Sequence, residues 1–313
     1  MRTEKLIMPQ KDLRKLQLIE LEMLLEVDRI CRENDIVYYL SAGTALGAVR
    51  HKGFIPWDDD LDVRMSRAEY QKFCKACEAS LDRGRFFLQN DRTDPEYRWG
   101  YAKIRRKGTE YLREGQEAIR CMSGVSIDIF VIDNVPDSAF FSILYFIVRR
   151  ACIKTLWSVI GASREPNPFK RLLYRGLRHI NKRIPLSIME WMAGLSNRNK
   201  TKAVVCTSFY RNDNYIKKNL RDLAAGTAAR FFDDRAEIEF EGFLFYICKD
   251  FDGYLTDKYG DYWKYPPQEK RYLHPPKSYK LDAEIDLRGR SIEDYMNKEY
   301  LYLTKEERQG NDE

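Results

Sequence analysis

Four aspartates crowd into five positions, Asp58, Asp59, Asp60 and Asp62, separated by five residues from three preceding basic ones, Arg50, His51 and Lys52. Carboxylates this close repel one another, and the apolar neighbours Trp57, Leu61 and Val63 imply partial burial, which is costly unless a cation offsets the charge. A divalent metal meets that need, and an all-oxygen ligand set favours Mg²⁺ or Mn²⁺ over zinc. Upstream, the small residues Ser41-Ala42-Gly43-Thr44 permit close backbone approach. A helix starting at Ser41 or Thr44 would aim its free N–H groups at an anion in that turn, making Gly43 and Thr44 a phosphate seat. Farther along, Asp128 is the single charge in the apolar segment 125–131. A lone carboxylate in such a segment is either paired with a cation or functional. With Lys103 and Arg105 as further positive charge, these are the parts that metal-assisted phosphoryl transfer requires.

The elements that must position these groups follow from periodicity. Leu13, Leu16, Glu20, Met23, Val27 and Ile30 step at three or four residues and predict a helix over 9–34. Residues 36–40 read as a short buried strand, 41–44 as a turn and 44–52 as a helix. Over 58–63, strand alternation would put Asp58, Asp60 and Asp62 on one face and Asp59, Leu61 and Val63 on the other. That parity makes Asp58 a candidate ligand beside Asp60 and Asp62, and Asp59 a structural hydrogen-bond acceptor. Strand character recurs at 86–89, 101–105 and 125–131, the last apolar on both sides like a central strand. Segment 240–248 reads as a hairpin or strand, and 251–259 as a short helix closed by Gly260. The expected class is mixed α/β, that is α+β, with a small mixed sheet flanked by helices.

Charge is distributed unevenly along the chain. Between Arg149 and Lys202 there are thirteen Lys or Arg against Glu165 and Glu190, a local charge of +11 in a chain whose total is +6. The block opens with ten apolar residues, 139–148, too few to span a bilayer. A basic amphipathic region of this kind suits an acceptor-binding subdomain or the surface of an anionic membrane. It lacks the signatures of nucleic-acid recognition, so nucleic acid is not an expected partner. The division expected is a catalytic core over 1–135, the basic helical region over 136–205, and a C-terminal part over 206–313 that completes the core. Seven cysteines at irregular spacing suit reduced thiols, and Cys74 and Cys77 stand in a helical pattern without a zinc-like companion pair. The charged beginning of the chain and the lack of a long apolar run point to the cytoplasm, with peripheral contact at the inner face of the cell membrane.

The run from Gly43 to Asp62, with Leu46-Gly47-Ala48-Val49-Arg50-His51 and Gly53-Phe54-Ile55-Pro56-Trp57-Asp58-Asp59-Asp60 inside it, closely resembles the signature of the LicD family of phosphotransferases, in the nucleotidyltransferase-fold superfamily. Similar pieces are Gly124 to Phe130, Phe240-Glu241-Gly242, and Tyr259-Gly260-Asp261-Tyr262 leading to Pro266-Pro267 and His274. The resemblance implies a nucleotidyltransferase-like core and transfer of phosphocholine from CDP-choline to a sugar hydroxyl of a cell-surface glycopolymer, free or lipid-linked, with release of CMP. Teichoic acid and lipopolysaccharide precursors are the implied acceptor types. Fukutin-type relatives imply other CDP-linked donors, such as CDP-ribitol. It also implies Asp60, Asp62 and Asp128 as catalytic carboxylates and metal ligands, with Asp58 available to a second metal. Arg50, His51, Lys52, Lys103 and Arg105 are candidate donor-phosphate contacts, and Trp57 either stacks on the donor or belongs to the core. Two rival readings share these residues or bypass them: an NTP-dependent nucleotidyltransferase, and a non-catalytic scaffold at a membrane surface.

Overall fold

A strand whose alternate residues differ in polarity gives a sheet with two unlike faces, and the central strands here are of that kind. The computed structural model describes residues 8–117, 119–206, 220, 224–267, 271 and 276–300. Its first part runs α1 (Gln10–Glu33), β1 (Tyr39–Leu40), α2 (Ala42–His51), β2 (Asp62–Ser66), α3 (Arg67–Ser80), β3 (Phe86–Gln89), β4 (Ala102–Arg106), β5 (Glu110–Arg113) and β6 (Ser126–Val135). Three helices follow, α4 (Ala139–Arg164), α5 (Pro168–Leu177) and α6 (Arg183–Ser196), then β7 (Ala203–Cys206) and β8 (Thr227–Ala228). The last part has β9 (Arg235–Phe240), β10 (Phe243–Cys248), α7 (Phe251–Tyr259), β11 (Pro276–Lys280) and α8 (Ile292–Met296).

The main sheet is mixed. Its order is β1-β2-β6-β4-β3, with β7 on the distal half of β6 and β8 on β7. Among the described strands only β2 and β6 pair in parallel, and their register sets Asp62 against Asp128. On the other side of β6, antiparallel β4 sets Lys103 against the same Asp128 and Arg105 against Ser126. Residues of opposite parity, Val63, Ile104, Ile127 and Ile129, are wholly buried in the main core with α1. Each such aliphatic side chain contributes roughly 1.5–3 kcal/mol through burial. The main core also takes in Phe240 and Phe245 of the β9–β10 hairpin and Tyr254 and Leu255 of α7, so sequence-distant segments close around α1 and α2. The other face carries the charges, and Tyr101 and Phe130 on it join a second cluster with Trp157 and Ile160 of α4.

Three expectations are corrected. Residues 58–61 form no strand: Asp58 N donates to Ile55 O at 2.9 Å in a turn, and Gln17 Nε2 holds Asp58 O at 2.9 Å. The strand begins only at Asp62, so face parity does not order the aspartates. The strand expected over 36–40 is reduced to Tyr39–Leu40, and α2 begins at Ala42 rather than Thr44. The mixed α+β class stands, with eight α-helices and a curled mixed sheet among the described residues.

Candidate active site

Backbone geometry places the first group of functional atoms. Ser41 occupies the N-cap of α2, but its hydroxyl makes no capping bond and is buried without a partner. Ala42 N–H donates to the Tyr254 hydroxyl at 3.2 Å, and the helix's first-turn N–H groups that follow, those of Gly43 and Thr44, have no carbonyl a turn earlier to bond. The Thr44 side chain is used differently: its hydroxyl accepts from Asp62 N at 2.8 Å and ties α2 to the start of β2. Gly43 permits a close approach, since a Cβ there would stand 2.6 Å from Asp58 Oδ2. The turn therefore brings the N-terminus of α2 against the aspartate cluster, as its sequence position required.

The aspartates separate by partner. Asp59 is 2% exposed and accepts from the Tyr111 hydroxyl at 2.8 Å, a structural bond that pins the loop to β5. Asp60 lies 3.7 Å from Arg113, also on β5. Asp128 forms a buried ion pair with Lys103 Nζ. A sliver of Asp58 and of Asp62 stays accessible, yet burial pushes both carboxyls well above the usual range. The charge of Asp60 adds to each shift, followed by Asp59 for Asp58 and by Asp128 for Asp62. Burial also lowers the Lys103 ammonium, against the attraction of Asp128.

One carboxylate escaped the sequence reading. Glu20 on α1 is 2% exposed, and its Oε2 has no hydrogen-bond partner. Burial raises its carboxyl well above the usual value, and Asp60, Asp59 and Asp58 raise it further. The signal was present in the sequence, because Glu20 is the lone acid in the apolar register of α1. Arg113 gave no such signal; it stands at the end of β5, which pairs with β11 and is tied to the aspartate loop by Tyr111.

Against Glu20 and Asp59 lies a cavity of about 320 Å³. Its wall includes Lys103, the partner of Asp128, and Arg113, the neighbour of Asp60, while Asp58, Asp60, Asp62 and Asp128 do not themselves line it. Glu20, Lys103, Arg105 and Arg113 line one side, and Lys154 and Trp157 of α4 close the other. Trp99, Tyr101 and Tyr111 complete an aromatic and cationic wall suited to a phosphate and a flat or apolar group together. Arg105 is oriented by Gln89, whose Oε1 accepts from Nε at 2.7 Å. The basic helical region thus contributes directly to the site, which its sequence distance concealed.

The other expected donor contacts stand elsewhere. Arg50 is wholly interior, donating to Tyr262 O at 3.0 Å with its guanidinium carbon 4.6 Å from the centre of the Tyr265 ring. His51 meets Trp57 and Tyr265 edge-on, at centroid distances of 6.4 and 5.8 Å. Trp57 is half-buried against the core, with Arg271 4.5 Å from its ring centre. Lys52 lies 3.8 Å from Glu239 on β9. None of these four lines the cavity. His274 lies outside the described residues.

The Phe240-Glu241-Gly242 segment has a structural role. Glu241 accepts from Arg14 at 2.8 Å and from Phe54 N at 3.2 Å, while its own N–H donates to Lys52 O at 2.7 Å. It therefore clamps the loop between α2 and the aspartates. A Cβ at Gly53 would meet Glu241 Oε1 at 2.4 Å, which is why that loop position is a glycine.

Residues 35–119 match the family model described as LicD/FKTN/FKRP, nucleotidyltransferase domain. Lipopolysaccharide cholinephosphotransferase LicD of Haemophilus influenzae is 29% identical over 272 residues, covering 85% of this chain and 97% of that protein. Uncharacterized proteins of Rickettsia prowazekii and Rickettsia typhi are each 45% identical over 42 residues, 13% of this chain. The long relative aligns with nearly the whole fold, and the family model spans the α2 turn, the aspartate cluster and Lys103. The chain thus carries a LicD-type nucleotidyltransferase domain over residues 35–119 and is similar over most of its length to a LicD phosphotransferase.

Proposed function

We propose that this enzyme transfers phosphocholine, or a closely similar substituted phosphate, from a CDP-linked donor such as CDP-choline to a sugar hydroxyl of a cell-surface glycan, with CMP as the leaving group. The observation that carries this reading is the pairing of Asp62 and Asp128 across β2 and β6, beside a cavity rich in Lys and Arg. The name of the Haemophilus relative, which couples choline phosphate to lipopolysaccharide, supports the choice of group and acceptor.

Asp60, Asp62 and Asp128, with Asp58 beside them, would hold Mg²⁺ or Mn²⁺. The fit is one of charge and donor type, because the site buries carboxylates that resist ionisation and leaves Glu20 Oε2 unpartnered. As they stand, no three such side chains among the described residues are gathered to hold a metal, since Asp128 is drawn to Lys103 and Asp60 to Arg113. A bound divalent ion would neutralise these carboxylates and polarise the donor diphosphate. Lys103, Arg105 and Arg113 attract and orient the donor's phosphates, and the first turn of α2 supplies N–H donors. The acceptor oxygen bonds to phosphorus as the bond to the CMP oxygen breaks, and Asp128 takes the hydroxyl proton once Lys103 has turned to phosphate.

The test supplies Mg²⁺, acceptor extract and either CDP-choline or each NTP. Release of CMP with choline phosphate on the acceptor is the expected result. Pyrophosphate release from an NTP would overturn the reading, and a panel of CDP-ethanolamine and CDP-polyols would identify the transferred group.

A further inference from the structure

We infer that α4, α5 and α6 form a docking surface for an anionic membrane. Among the described residues, fourteen large apolar side chains are exposed, and twelve of them lie between Phe140 and Leu195. They recur at helical spacing. On α5, Phe169, Leu172 and Leu173 are 83%, 66% and 60% exposed. On α6, Ile184, Ile188, Trp191 and Leu195 make a solvent-facing stripe, while Leu186, Met189 and Ala193 of the same helix are buried. A helix apolar on both sides has an unmet face in water.

Charge decides what covers it. The same region carries the local +11, and exposed Lys170, Arg175 and Arg178 interleave with the apolar stripe of α5. A second copy of the chain would bring +11 against +11. An anionic lipid surface accepts both the basic side chains and shallow insertion of Phe, Leu and Trp. No described helix is long and apolar enough to cross a membrane, so the contact is interfacial.

The proposal gives α4 two roles. Its first turns expose Phe140, Phe141 and Leu144, while Lys154 and Trp157 farther along it line the cavity. A helix of 26 residues is roughly 39 Å long at about 1.5 Å per residue, so one rod joins the membrane face to the cavity wall. If the transferase reading holds, on which this last step rests, the acceptor is a glycan carried on a lipid and reaches the cavity along α4.

Flotation of the full-length protein with vesicles tests this without any turnover. Binding is expected to vesicles of phosphatidylglycerol and phosphatidylcholine, and about tenfold or more weaker binding to phosphatidylcholine alone. The Phe169→Ser, Leu172→Ser, Trp191→Ser triple variant and the Lys170→Glu, Arg175→Glu double variant should each lose about tenfold or more. Both should keep wild-type turnover on a soluble acceptor, because none of these residues lines the cavity. Equal flotation of both variants with wild type, or no flotation of a folded wild type, overturns the proposal. A concentration-dependent dimer in light scattering, abolished by the triple variant and indifferent to vesicles, assigns the face to self-association instead. Loss of turnover in the wild type with flotation intact would sink the transferase reading and leave the docking surface standing.

Discussion

Replacing Gly43 with alanine perturbs the α2 turn and Asp58 together. Gly43 does not have a positive φ, so an alanine there carries no backbone strain. Within a helix the change alone favours folding by about 0.5–1 kcal/mol. Against this, the new Cβ falls 2.6 Å from Asp58 Oδ2, whereas ordinary contact begins at 3.4 Å, a deficit of 0.8 Å. The carboxylate must turn aside, at about 0.5–1.5 kcal/mol for an off-rotamer side chain. The two terms nearly cancel, and Tm should move by less than about 5 °C. Their effects on transfer do not cancel, because misplacing a reacting or ligating group by about an ångström costs on the order of 100-fold. Steady-state CMP release should therefore show kcat/KM down by about 100-fold, with an unchanged circular dichroism spectrum. Full turnover in the folded variant would remove Asp58 and the α2 turn from the transfer site. A fall in Tm beyond about 10 °C would assign the Gly43–Asp58 contact to the fold instead.

Asp62→Asn should reduce turnover by about 1,000-fold or more while the metal-free protein keeps or gains Tm, since burial and the charges of Asp60 and Asp128 oppose ionisation of Asp62; calorimetry showing a large loss would make Asp62 structural. Tyr111→Phe removes the donor to buried Asp59 and should cost about 1–3 kcal/mol in urea unfolding, and an unchanged midpoint would refute the bond's role. Glu241→Ala should cost about 3–5 kcal/mol, because it strands the buried Arg14 guanidinium. Burial alone would raise the Glu241 carboxyl, but Arg14, Lys298 and the Phe54 N–H hold it below its ordinary value. A depressed folded pKa means that this stability is present above the unfolded value of about 4.3 and is lost as pH falls through the folded one. Wild-type and Glu241→Gln unfolding curves should therefore converge on acidification, and a gap constant with pH would refute that sign.

Asp128 was legible because one charge in an apolar strand contradicts its surroundings, and that contradiction survives any error in strand boundaries. Asp59 was assigned its structural role for a reason that fails: no strand exists at 58–61, and Tyr111 rather than face parity sets it apart. Glu20 was visible as an interruption in α1, but its meaning depends on the loop that folds against it. Arg50 and His51 lie inside the most recognisable motif, yet short-range spacing does not tell which side of α2 meets α7 and which meets the aspartates. The part played by α4 depends on a chain crossing far from the aspartates in sequence, and periodicity carries no information about such a crossing.

The two faces of the sheet explain why that crossing matters. With Val63, Ile104, Ile127 and Ile129 packed on α1, the opposite face leaves Lys103, Arg105, Asp128 and Asp62 in need of cover or water. Open water would satisfy them individually and weaken every interaction among them. By laying Trp157 and Ile160 over Tyr101 and Phe130, α4 withdraws that water, which is what lowers Lys103 despite its carboxylate partner. An ammonium desolvated in this way has Asp128 as its one charged hydrogen-bond partner among the described residues, with the neutral Ser126 hydroxyl 3.5 Å away, and gains from any second anion that enters the cavity. In the transfer proposed above, the donor's phosphates would be such an anion, and drawing Lys103 toward them would free Asp128 to receive a proton. On that proposal, the helix that closes the cavity also sets the charge balance on which transfer would depend.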